Sequence, residues 1–117
     1  MEITAQLLND PRTVYMNLLQ CYKELADVDQ IFKYAGIIIE PNNTHSKTEK
    51  KTAHTIRGVT LFQLGRHREA MIDFKHCVVD DRTDTYCLLY LAMTYYSAGD
   101  YKRSMKTFNH CLTLDDR

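Results

Sequence analysis

The chain has 117 residues, 44% hydrophobic and 26% charged, and this length and composition indicate one globular domain over residues 1–117. Its 15 basic and 15 acidic residues balance, which argues against nucleic acid as a ligand, because phosphate binding needs a concentrated positive field. No apolar run approaches the roughly 20 residues that a membrane-spanning helix needs, so no membrane partner is expected.

Two apolar helical patterns predict the first hairpin. Asp10-Pro11 marks the start of a helix over about 11–25, because aspartate caps free amides and proline suits the first helical position. After a turn at Ala26-Asp27, a second helix runs over about 28–39. We expect the second helix to turn Ile31, Phe32, Ala35 and Ile38 inward. The first helix is indicated by apolar residues that recur at steps of three and four, namely Val14, Leu18, Leu19, Tyr22 and Leu25.

Four further helices follow a polar connection over about 42–51. Ser46 and Glu49 have the form of a capping box, so the third helix begins there. It runs to about Leu64 and ends at Gly65, where glycine adopts a left-handed backbone at little cost. The remaining helices are predicted over about 67–79, 84–97 and 101–113.

The segment from Gly65 to Cys77 recurs 34 residues later in the chain, from Gly99 to Cys111. Both copies keep a glycine, a small residue, a phenylalanine and a His-Cys pair in the same order and at the same spacing. A fixed period of this length is typical of helical hairpins that stack on one another, because one hairpin cannot bury its apolar side alone.

This pattern resembles the tetratricopeptide repeat. The unit over about 85–117 matches it with Leu88, Leu91, Ala92, Tyr95, Gly99, Ser104, Phe108 and Cys111. The unit over about 51–84 matches it with Gly58, Leu61, Gly65, Ala70, Phe74 and Cys77. This middle unit departs from the family at Arg57, where leucine is usual, and the first unit, about 11–43, is degenerate.

The resemblance implies an all-α, right-handed superhelix of about three antiparallel helix-turn-helix repeats. It also implies a non-catalytic adaptor that binds other proteins. The small residues Gly58, Ala70, Ala92 and Ser104 are expected where two helices cross closely, since a bulky side chain there would force the helices apart. Phe74 and Phe108 would fill the space between units, so these residues have structural roles.

In this family the first helix of each unit lines a concave groove that accepts a peptide or a helix. The corresponding candidate partner-binding residues are Met16, Asn17, Gln20, Lys23, Thr52, Thr55, Ile56, Val59, Tyr86, Leu89, Tyr90 and Met93. The residues of the last unit are apolar or aromatic and offer few donors to a carboxylate. We therefore expect an apolar or helical segment of a protein partner rather than an acidic C-terminal tail.

The alternative function is homo-oligomerisation. The sequence places no polar capping helix after the sixth helix, so Leu112 and Leu114 are expected to be partly bare. Such a repeat end, or the groove rich in tyrosine and leucine, would pair with a second copy to form a homodimer or a larger oligomer.

The cysteines and histidines predict no metal, cofactor or catalytic site. In His76-Cys77 and His110-Cys111 the two side chains point about 100° apart on a helix, so neither pair can hold an ion alone. No glycine-rich phosphate loop or nucleophile elbow is present. Together with Cys21 and Cys87, these cysteines are expected to be buried free thiols, and without a signal peptide the protein is expected to be cytoplasmic.

Overall fold

The computed structural model describes residues 10–115, which form six α-helices and, within this range, no strand. The helices are α1 (Pro11–Leu25), α2 (Val28–Ile39), α3 (Lys47–Gln63), α4 (His67–Asp80), α5 (Thr85–Ser97) and α6 (Tyr101–Asp115). Successive helices pack as α1 on α2, α4 on α5 and α5 on α6. The predicted all-α array of helical hairpins is therefore confirmed, and the observed bounds differ from the predicted ones by at most two residues.

Five of the six described helices begin where a side-chain oxygen accepts a hydrogen bond from a free amide, and α4 begins without such a cap. Asp10 accepts a hydrogen bond from the Arg12 amide at 3.0 Å, and Asp84 accepts one from the Cys87 amide at 3.2 Å. The predicted capping box is present at α3, since the Ser46 and Glu49 amides each donate to the other residue's side chain, at 2.9 and 3.1 Å. The bond from the Ser46 amide holds the pKa of Glu49 below its usual range.

The three hairpin turns have the same backbone conformation. Ala26, Gly65 and Gly99 all have positive φ, at 54°, 79° and 85°. In each turn the next amide donates to the carbonyl five residues earlier, at 2.9 to 3.1 Å. These bonds join Asp27 to Tyr22, Arg66 to Leu61 and Asp100 to Tyr95. The turns therefore align the degenerate first hairpin with the other two.

Ala26 is the turn residue at which a substitution is expected to increase the stability of the protein. Its left-handed backbone brings Cβ close to the following carbonyl oxygen, a conformation that glycine adopts without this penalty. We expect Ala26→Gly to raise the free energy of unfolding by up to about 1 kcal/mol, because the relieved strain exceeds the added entropy of the unfolded chain. Thermal unfolding of both proteins would measure the change, and a lower melting temperature would contradict the assigned turn.

The chain divides into two compact units, residues 1–56 and residues 57–117. The core of the first unit consists of Leu19, Ile31, Ala35, Ile38, Ala53 and Ile56. Val14 and Leu25, which belong to the apolar pattern that predicts the first helix, are exposed. Cys21 is also exposed, against expectation, whereas the other three cysteines are buried. The apolar part of α1 is wider than the side that packs on α2, which leaves these residues outside the core.

In the second unit the small residues lie where helices approach closely, as predicted. Ala70, Ala92 and Ser104 are buried, and the Ser104 hydroxyl donates to the Ala92 carbonyl at 2.9 Å. A side chain this small lets α6 approach the backbone of α5. Phe74 is fully buried, as expected for a filler residue, but Phe108 is only half-buried.

Candidate functional site

Three predicted binding residues lie together on one side of α5. Tyr86, Leu89 and Met93 follow one another at steps of three and four residues, so they form a single stripe along the helix. Their exposed fractions run from 39% for Met93 to 55% for Tyr86. We call this stripe the α5 face. Large apolar side chains gathered on one exposed side are typical of binding surfaces.

Tyr90 lies beside the α5 face but belongs partly to the core. Its half-buried ring stacks on Phe74 at 5.3 Å between centroids and meets the edge of Phe62 at 5.7 Å. On its other side it contacts the ring of Tyr86 at 5.1 Å. Tyr90 therefore supports the surface from beneath, and replacing it would disturb the packing of α5 as well as any ligand contact.

Tyr86 presents a ring and a neutral hydroxyl to solvent. Partial desolvation raises the pKa of the Tyr86 phenol, and its hydrogen bond with Tyr90 adds to this increase. The phenol therefore stays protonated at physiological pH, so the α5 face carries no charge from it. An aromatic ring with one polar atom is well suited to a protein interface, because it buries a large area and fixes the orientation of a partner.

The candidate residues of α1 do not form a comparable apolar surface. Met16 is partly buried against the core of the first unit. Asn17, Gln20 and Lys23 are exposed and polar, and the Lys23 ammonium lies 3.6 Å from the Glu24 carboxylate. This part of the predicted groove is a solvated helix side, where side chains can hydrogen-bond but bury little area.

The candidate residues of α3 are split between surface and core. The hydroxyls of Thr52 and Thr55 donate to carbonyls of their own helix, at 3.0 and 2.9 Å. Ile56 is buried in the core of the first unit, so its side chain cannot contact a partner, and its predicted place in the groove needs correction. Ile56 lies one helical turn after Thr52, at a point where this side of α3 faces the core. Val59 is half-buried in the second unit.

The adjacent histidine and cysteine residues divide between surface and core as predicted. Cys77 and Cys111 are buried, while His76 and His110 are exposed. Burial raises the pKa of the Cys111 thiol, which favours its unreactive protonated form. Within residues 10–115, no three His, Cys, Asp or Glu side chains are arranged to hold a metal ion.

Sequence reasoning missed the role of Arg57, the position where the middle unit departs from the family pattern. Its guanidinium donates two hydrogen bonds to the Asp73 carboxylate, from Nε at 2.9 Å and from Nη2 at 2.7 Å. Asp73 is 1% exposed, so this bidentate pair joins α3 to α4 below the surface. An aspartate inside an apolar helix, with an arginine at a leucine position of the preceding helix, is the signal that could have predicted it.

Comparison with protein-family models identifies a repeat in this chain. A family model described as the tetratricopeptide repeat matches residues 52–78 and 86–117, which make up about half of the chain. A search of curated proteins finds none whose sequence matches this chain. In the part of the chain that the structure describes, no helix is both long and apolar enough to cross a membrane.

Proposed function

Because the chain belongs to the tetratricopeptide repeat family, whose repeats generally mediate protein–protein interaction, we propose that the α5 face binds an apolar or helical segment of a partner protein. The observation that supports this proposal is the exposure of Tyr86, Leu89 and Met93 along one side of a helix. A solvated helix side would carry polar residues at these positions. Burying three such side chains on binding would be favourable, because each removes apolar area from water.

The chemistry of the surface favours an apolar segment over an acidic tail. From Thr85 to Ser97, α5 contains no lysine or arginine, so the α5 face offers no charged donor to a carboxylate. The stripe instead matches the spacing of a partner helix, whose anchor residues recur at three- and four-residue steps. The family is typically non-catalytic, and the proposed role is that of an adaptor. Three buried free thiols suit a reducing compartment such as the cytoplasm.

A peptide display experiment tests this proposal. Random peptides of about 16 residues, long enough for four helical turns, would be selected on the wild-type chain together with a matched set ending in acidic tails. We expect the selected peptides to carry apolar residues at helical spacing. Leu89→Ala should weaken their binding at least about 10-fold, which corresponds to roughly 1.4 kcal/mol.

Ile72→Ala is the matched control for Leu89→Ala. Ile72 is an exposed aliphatic residue on α4, outside the α5 face, so its truncation should leave the affinity unchanged. Tyr90→Ala is unsuitable as a binding variant because Tyr90 packs on Phe74. Enrichment of acidic tails, or selected peptides that bind Leu89→Ala as tightly as the wild type, would show that the α5 face is not the recognition surface.

A further inference from the structure

A second apolar surface lies on α6 and includes one residue from the end of α5. Tyr101, Met105, Phe108 and Leu112 follow one another along α6 at helical spacing, and Tyr96 joins them through a ring contact with Tyr101 at 5.4 Å. We call these five residues the terminal face. All except the half-buried Phe108 are between 59% and 69% exposed. So large an apolar area on one hairpin indicates a surface that another element covers.

The internal repeat shows what kind of element covers such a surface. The equivalent positions in the preceding repeat are Phe62, His67, Met71, Phe74 and Val78, and all five are half-buried or buried. Phe62 meets the His67 ring edge-on at 5.5 Å, which reproduces the contact between Tyr96 and Tyr101. The element that covers them is a helix, because Tyr90 of α5 packs on both Phe62 and Phe74. The terminal face is therefore a second surface on which a helix can pack in the way that α5 packs on Phe62 and Phe74.

The helix α1 has an exposed side whose residues correspond to those on the side of α5 that packs on α3 and α4. Next to Tyr90, α5 buries Cys87, Leu91 and Thr94, which lie on one stripe. When the hairpins are aligned through their turns, the corresponding residues of α1 are Val14, Leu18 and Cys21, and Leu25 extends the stripe. We call these four residues the α1 stripe. Val14, Cys21 and Leu25 are exposed, and Leu18 is half-buried.

The sizes of the side chains on the two surfaces compensate one another. In α1, the smaller Asn17 occupies the position of Tyr90. If α1 packed on residues identical to those of α3 and α4 that contact α5, Asn17 would leave a gap. The terminal face carries larger residues at three of its five positions, with Tyr96 for Phe62, Tyr101 for His67 and Leu112 for Val78. The larger residues of the terminal face would fill the space that Asn17 leaves, as close packing requires.

We propose that two copies of this chain associate head to tail, with the α1 stripe of one copy seated on the terminal face of the next. Such an interface uses different surfaces on the two partners, so each added copy leaves one free stripe and one free face. Association therefore continues into an open chain or a ring rather than stopping at a dimer. The interface does not use Tyr86, Leu89 or Met93, so the inference stands or falls independently of the proposed peptide binding.

Light scattering on two blocking variants tests this proposal. Over roughly 10 µM to 1 mM, where interfaces of micromolar to millimolar affinity assemble, the mass of the wild type should climb above the 13.7 kDa of the monomer. Cys21→Glu blocks the stripe and Met105→Glu blocks the terminal face, so each variant alone should stay at the monomer mass. An equal mixture should form a species of twice that mass and go no further, because each variant supplies the surface that the other lacks.

Ile72→Glu is the matched control, because Ile72 is exposed and its equivalent in the following repeat is the exposed Lys106. This variant should associate like the wild type. If circular dichroism shows that Cys21→Glu is unfolded, Leu25→Glu blocks the same stripe at another exposed position. A wild-type mass that stays at 13.7 kDa up to the highest concentration would overturn the proposal. So would a mixture that remains monomeric, or a Cys21→Glu variant that still dimerises, since that would indicate symmetric pairing of terminal faces.

Discussion

Replacing Arg57 with leucine is expected to lower the free energy of unfolding by about 3 kcal/mol, because it leaves a buried carboxylate without its guanidinium. Asp73 is 1% exposed, and both of its oxygens accept hydrogen bonds from Arg57. The same hydrogen bonds raise the pKa of Arg57, so its guanidinium stays charged. Leucine is the residue that the family pattern prefers at this position, yet here it should be harmful.

Urea unfolding would measure this effect, and Arg66→Leu is its control. Arg66 forms a bidentate pair of similar geometry with Glu69, at 2.9 and 2.7 Å, but both side chains are exposed. Its loss should change stability by less than about 1 kcal/mol. The double variant Arg57→Leu with Asp73→Leu should recover much of the loss, since it removes the buried carboxylate together with its half-buried partner. Equal effects of Arg57→Leu and Arg66→Leu would show that burial of Asp73 does not determine the energy of the pair.

Replacing Gly58 with leucine is expected to destabilise the second unit by about 1–3 kcal/mol or more, through overpacking. A Cβ atom at this position would lie 2.9 Å from Cε1 of Phe74 and 3.2 Å from Cβ of Asp73. Phe74 is fully buried and stacks on Tyr90, so a shift of its ring would disturb the packing around it. Even Gly58→Ala should lower stability, because the contact with Phe74 outweighs the roughly 1 kcal/mol that alanine contributes within a helix.

Gly36→Ala provides the matched control for Gly58→Ala. Gly36 also lies within a helix, but apart from its chain neighbours and the adjoining backbone of its own helix, no heavy atom lies within 4 Å of the place where its Cβ would be. This substitution should raise stability by roughly 0.5–1 kcal/mol, the ordinary helix preference of alanine over glycine. Melting temperatures of the two variants should therefore move in opposite directions. A stabilised Gly58→Ala would mean that α3 and α4 do not approach as closely as the structure indicates.

Features that depend on neighbouring residues could be predicted from the sequence alone. Side-chain capping atoms determine where helices start, as at Asp10, Ser46 and Asp84. Backbone conformation determines the turns at Gly65 and Gly99. Both effects act over only a few residues. The fixed period identified the repeat, and with it the positions where small residues let helices cross. These features recur in each copy, so one copy predicts the other.

The tertiary structure alone decided which side of each helix is covered and which residues share the core. Val14, Cys21 and Leu25 carry the same apolar signal as Leu19, yet only Leu19 is buried. Ile56 and Leu89 both lie in the predicted groove, but Ile56 contributes to a core and Leu89 faces solvent. Helical periodicity describes the apolar character of a side, whereas burial also depends on how much of that side a neighbouring helix can cover.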